Sequence, residues 1–123
     1  MSLIIHYLNG KSEEMESHYA EKEYRDDIIV ELNGLYYEVY FFTSGVLKYE
    51  MTNDGFFAFP GLIILDEIST KSIKDSILYL ETLGYFLKFN GLERLDQEKR
   101  FIHNWYANKL SFDINRIESE KLW

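Results

Sequence analysis

The chain has 123 residues, with 13 Lys plus Arg against 21 Asp plus Glu, for a formal net charge of −8. Its 46% hydrophobic and 17% aromatic content excludes a disordered chain, which needs few aromatics and low hydrophobicity. The charge disfavours direct nucleic-acid binding, because phosphate contacts supply most of that affinity, and it suits a basic protein partner. Without Cys there is no disulfide and no Cys-based zinc site. No apolar run approaches the ~18 residues of a membrane span, and the start lacks a basic signal region, so a cytoplasmic protein is expected. Length and the absence of a Pro/Ser-rich linker or repeat favour one domain over residues 1–123.

Residues 3–8 read as a first strand stopped at Asn9-Gly10. Residues 12–25 are the most polar stretch; Met15 and Tyr19, four apart, allow a short helix with a narrow apolar stripe, and a loop is equally open. Then two β-prone runs, residues 28–32 and 35–42, flank Asn33-Gly34, the strongest short hairpin signal because both turn residues need positive φ. A two-residue loop pairs Leu32 with Leu35, Val30 with Tyr37 and Ile28 with Val39, an apolar set that points to the core. The alternate set pairs Glu31 with Tyr36 and Ile29 with Glu38, and continues to Asp27 opposite Tyr40. That face mixes carboxylates with tyrosines, and is either solvent-exposed or covered by a helix.

Residues 43–45 form a turn, and alternation over 46–51 predicts a third strand. Residues 52–55 form another turn, and 56–59 a short edge strand ended at Pro60-Gly61. After the apolar run 62–65, Ser69 is an N-cap, with Ile68 and Ile73 as a hydrophobic staple and Ile73, Ile77 and Leu80 on one helical face. Gly84 terminates that helix, and 85–89 read as a strand. A helix follows from Leu92 to about Asn108, with Leu95, Ile102, Trp105 and Tyr106 in one stripe; beyond it neither period fits cleanly. The fold class expected is α+β: one domain, mainly an antiparallel β-meander with two or three helices.

No motif identifies a reaction. Leu62 to Glu67 has the form of an apolar strand followed by Mg²⁺-binding acids, but the matching phosphate loop lacks its first glycine, which falls at Ile5. His6, His18 and His103 form no metal-ligand spacing, and no nucleophile elbow is present, so neither cofactor, metal nor enzymatic activity is expected. His6 reads as a hydrogen-bonded core or edge residue. Ten tyrosines and nine phenylalanines exceed what a small core readily hides, which points to a binding surface with Tyr36 and Tyr40 beside Asp27, Glu31 and Glu38.

Gly61-Leu62-Ile63-Ile64-Leu65-Asp66-Glu67-Ile68, then Ser69 to Ile73, Leu80 and Gly84-Tyr85-Phe86, resembles immunity proteins of bacterial polymorphic toxin and contact-dependent inhibition systems. The resemblance implies a non-enzymatic protein that neutralises a cognate toxin, often a basic nuclease, with its carboxylates taking the place of phosphates. On that reading the acidic segment Glu13, Glu14, Glu16, Glu21 and Glu23 joins Asp27, Glu31, Tyr36, Glu38 and Tyr40 in the interface. A strand edge at residues 46–51 would admit a toxin hairpin. The alternative is an acidic DNA-mimic inhibitor or a structural adaptor from a phage or mobile element. A homo-oligomer is open.

Overall fold

A computed structural model describes residues 2–58, 61–88, 92–93 and 114–123. In chain order these form β1 (Leu3–Tyr7), α1 (Glu13–Lys22), β2 (Tyr24–Leu32), β3 (Leu35–Thr43), α2 (Ser44–Asp54), β4 (Leu62–Leu65), α3 (Thr70–Thr82), a 3₁₀ turn at Tyr85–Lys88, β5 (Leu92–Glu93), a second 3₁₀ turn at Ile114–Arg116, and β6 (Glu118–Lys121). The fold is α+β. Among the described residues the sheet runs β4-β3-β2-β1-β6, with β5 also pairing β3. All pairings are antiparallel except β3 with β4.

The β2–β3 hairpin has the register that Asn33-Gly34 implies: Ile28 faces Val39, Val30 faces Tyr37 and Leu32 faces Leu35. Both turn residues have positive φ, 51° at Asn33 and 85° at Gly34. The apolar set joins Leu3, Ile5, Tyr7 and Phe41 in the core, against Tyr19 of α1, Ile73 and Ile77 of α3, and Phe86. Ser69 caps α3 by accepting the Ser72 N–H at 3.0 Å, and the Ser72 hydroxyl answers by accepting the Ser69 N–H at 3.1 Å. Ile68 and Ile73 are both buried beside that cap.

Several sequence expectations are corrected. Residues 46–51 are not a strand but part of α2. Val46, Leu47, Glu50 and Met51 are half-buried, a helical stripe that overlaps the alternation of a strand. Topology decides between the two: β4 lies parallel to β3, and parallel neighbours need a crossover rather than a tight turn. Residues 56–58 form no strand, and Tyr85–Lys88 forms a 3₁₀ turn instead of one. Leu92 and Glu93 begin as a strand paired with Tyr36 and Leu35; the remainder of the helix expected to about Asn108 lies outside the described residues.

The hairpin also contains a bulge. Arg25 faces Phe41 and Ile28 faces Val39, so Asp26 and Asp27 together oppose Tyr40. One extra residue reverses the alternation of β2, which turns Asp27 to the core side and leaves Asp26 beside Tyr40. Gly61 fixes the neighbouring strand crossing. Its φ is +83°, its carbonyl accepts the Tyr40 N–H at 2.9 Å, and a Cβ there would collide with the Glu38 carbonyl oxygen.

Candidate functional site

The sheet divides the ten expected site residues. Tyr19 packs with Tyr37 and Val39 in the core, so α1 covers that face, whereas Tyr36, Glu38 and Tyr40 alternate onto the other. The acids of α1 and those of the hairpin therefore do not form one patch. Glu13, Glu14 and Glu21 are exposed on α1.

Glu16 and Glu23 have intramolecular partners. Glu16 is half-buried and accepts the Thr70 N–H at 2.9 Å, capping α3 from a different element. Glu23 terminates α1 with φ 61°. Its carboxylate accepts the Thr43 hydroxyl at 3.4 Å, and both oxygens lie 3.8 Å from where a Cβ on Gly45 would stand, at the start of α2. The Thr43 side chain makes no cap bond of its own to α2, so Glu23 supplies the negative charge that this helix N-terminus favours.

Asp27 is corrected from a surface to a core residue. It is 0% exposed, and Arg25 beside it 1%. Arg25 Nε donates to Asp27 Oδ1 at 2.8 Å and its Nη2 to Oδ2 at 3.3 Å, while the Asn9 N–H donates to Oδ2 at 2.9 Å. The guanidinium lies 5.0 Å from the Tyr7 ring centroid and 4.5 Å from that of Tyr19, whose hydroxyl accepts from Asn9 Nδ2 at 2.8 Å. Buried charges persist only when paired, and this pair is paired, hydrogen-bonded and stacked. Burial pushes the Tyr7 and Tyr19 hydroxyls far above the usual phenol range, and the nearby carboxylates add to it.

Glu31 and Tyr36 are likewise buried, so of the two readings of this face, open or covered, the covered one holds at these residues and takes them out of an exposed contact surface. His6 Nε2 lies 3.0 Å from Glu31 Oε1, and His6 Nδ1 lies 2.6 Å from the Ser119 hydroxyl of β6. This contact meets the expectation of a hydrogen-bonded histidine. Leu8, Ile29 and Tyr36 form a second, smaller apolar cluster beside it, with Ile117 packed on.

The exposed part of this face is elsewhere along the hairpin. The Tyr40 hydroxyl donates to Glu38 Oε2 at 3.0 Å. Burial, the charge of Glu38, that hydrogen bond and the charge of Asp26 together push the Tyr40 hydroxyl up to about 12. Next to it, the Phe42 ring meets Tyr24 at 6.4 Å edge-on and Phe57 at 5.7 Å nearly parallel. All three rings are half-buried, and Glu38 is exposed. The result is an acidic, aromatic surface made by β2, β3 and the segment after α2. Asp26, Tyr24, Phe42 and Phe57 are not in the sequence-derived set: Phe42 follows Tyr40 by strand alternation, whereas Asp26 and Tyr24 reach this face through the bulge in β2 and Phe57 through the α2 crossover.

Among the described residues no group of three or more His, Asp or Glu side chains is arranged to hold a metal ion, and no helix is long and apolar enough to cross a membrane. Comparison with protein-family models, curated proteins and solved structures gives no match to this chain.

Proposed function

We propose that this chain is a cytoplasmic immunity protein that binds a cognate toxin domain, a basic nuclease, and blocks it by occupying its phosphate-binding groove. The observation that carries the reading is the Glu38–Tyr40 pair. Glu38 is exposed, is oriented by the Tyr40 hydroxyl, and makes no ion pair with a Lys or Arg among the described residues. A carboxylate held ready beside half-buried rings suits an incoming guanidinium, which gains a charge-assisted hydrogen bond and aromatic stacking together. The net charge of −8 adds long-range attraction for a basic partner and raises the association rate. The resemblance of residues 61–86 to immunity proteins is the reason for proposing a toxin as that partner. Glu13, Glu14 and Glu21 of α1 contribute to this field from the other face of the sheet, without belonging to the contact.

The test is co-expression of the tagged chain with its native upstream gene. Retention of a stoichiometric basic protein, whose nuclease activity falls on binding, supports the proposal. Recovery of a host DNA-binding enzyme instead supports the acidic DNA-mimic or adaptor alternative.

A further inference from the structure

The face opposite α1 carries a second constellation, which partner binding at Glu38 and Tyr40 leaves unused. Ser119, His6 and Glu31 stand on the adjacent strands β6, β1 and β2. Ser119 is the register partner of His6, and Glu31 is reached diagonally from the neighbouring pair of Ile4 with Glu31. His6 is 4% exposed and Glu31 5% exposed, whereas Ser119 faces solvent. The relay requires the tautomer in which His6 Nε2 carries the proton and donates it to the Glu31 carboxylate. Nδ1 is then the acceptor for the Ser119 hydroxyl at 2.6 Å. This is the relation of nucleophile, base and orienting acid that defines an activated serine by geometry, independent of chain order. Sequence inspection misses it because 113 positions separate His6 from Ser119.

We propose that Ser119 is a nucleophile toward acyl carbonyls, with His6 as its general base and Glu31 as the positioning residue. Leu8, Ile29 and Tyr36 are buried under the relay and support it from below, so the approach is to the exposed Ser119, which suits small activated esters or thioesters arriving from solvent. Ser119 Oγ attacks the carbonyl carbon while its proton passes to His6 Nδ1. The bond from that carbon to the leaving oxygen or sulfur breaks, and the leaving group departs with the proton from His6. Water, deprotonated by His6, then attacks the acyl-serine, releases the carboxylic acid and restores the Ser119 hydroxyl.

The experiment uses the full chain, a fluorophosphonate probe and p-nitrophenyl butyrate. Peptide mapping is expected to find one phosphonate adduct, on Ser119, and none in Ser119→Ala. Ester hydrolysis by that variant should fall by about 100-fold or more, toward the buffer rate. Ser119 is exposed, so an unchanged thermal midpoint will show that Ser119→Ala remains folded. Glu31→Gln should slow labelling and move the pH midpoint of its rate, which a purely structural contact would not do. A wild-type chain that stays unlabelled, or a Ser119→Ala chain that labels or hydrolyses equally, overturns the proposal and leaves the relay as a cross-strand polar ladder.

Discussion

Arg25 with Asp27 and Glu38 with Tyr40 lie within a few positions of each other on one hairpin, yet the sheet gives them opposite circumstances. On the α1–α3 side, Arg25 and Asp27 are enclosed by the rings of Tyr7 and Tyr19 and anchored to the turn at Asn9. On the other side, Glu38 and Tyr40 form a neutral-to-charged hydrogen bond at the surface, with Asp26 nearby. The first arrangement satisfies its charges internally and leaves none for a partner. The second leaves a net negative charge facing outward. What separates them is the single extra residue of the bulge, which sends Asp27 inward and Asp26 outward. Composition alone cannot make that distinction, because both sites are built from acids and tyrosines.

The strongest way to break the comparison is to unpair the buried side. Asp27→Ala leaves the Arg25 charge buried without a counterion and should lower stability by about 3–5 kcal/mol, read by urea unfolding. The double variant Arg25→Met, Asp27→Leu should lose much less than Asp27→Ala, since an apolar replacement removes both charges together. On the outer side Glu38→Ala is expected to change stability by no more than about 0.5 kcal/mol, because it is an exposed position. Equal losses at the two sites would abolish the contrast.

Gly61→Ala tests the geometry that supports the outer side. The added Cβ meets the Glu38 carbonyl oxygen and the backbone stands in the left-handed region, so about 1–3 kcal/mol of destabilisation is expected, with β4 displaced from β3. Glu16→Gln isolates a capping role among the α1 acids. It keeps the size of the side chain and removes the charge at the α3 N-terminus, for an expected loss of about 0.3–1 kcal/mol. Glu13→Gln, on an exposed residue of the same helix, serves as the control and should lose less.

The tyrosines sharpen the comparison by pH. Tyr7, Tyr19 and Tyr40 all hold their protons more tightly in the folded chain than the ordinary value of 10.0. A raised folded value means that their contribution to stability is complete below about pH 10 and is lost as pH rises through the folded values. Tyr40, at about 12, should ionise before Tyr7 and Tyr19 in a phenolate absorbance titration. Glu38→Gln removes both the charge and the carboxylate hydrogen bond that favour its neutral form, and should move that first step downward.

Much of the frame is legible in the chain because its signals are local. Asn33-Gly34 sets the hairpin register, and Ser69 with Ile68 and Ile73 sets the start of α3. The misreadings arise where a non-local requirement selects between two locally acceptable patterns. Residues 46–51 satisfy both a strand and a helix period, and the parallel placement of β4 selects the helix. Asp27 has no sequence mark that distinguishes it from Asp26; the bulge that separates them serves the burial of Arg25. The Ser119–His6 contact exists only because β6 returns to the sheet beside β1. For the candidate site, Glu38 and Tyr40 were legible from alternation, whereas Glu31 and Tyr36 share that alternation and are buried.

The most direct measurement compares the tagged wild-type chain with Glu38→Lys in co-purification with the native upstream gene product at moderate salt. The proposed role requires that the wild type retain a stoichiometric basic partner and that the variant, folded to the same thermal midpoint, retain far less. No partner bound to the wild type, or equal retention by both chains, would contradict it.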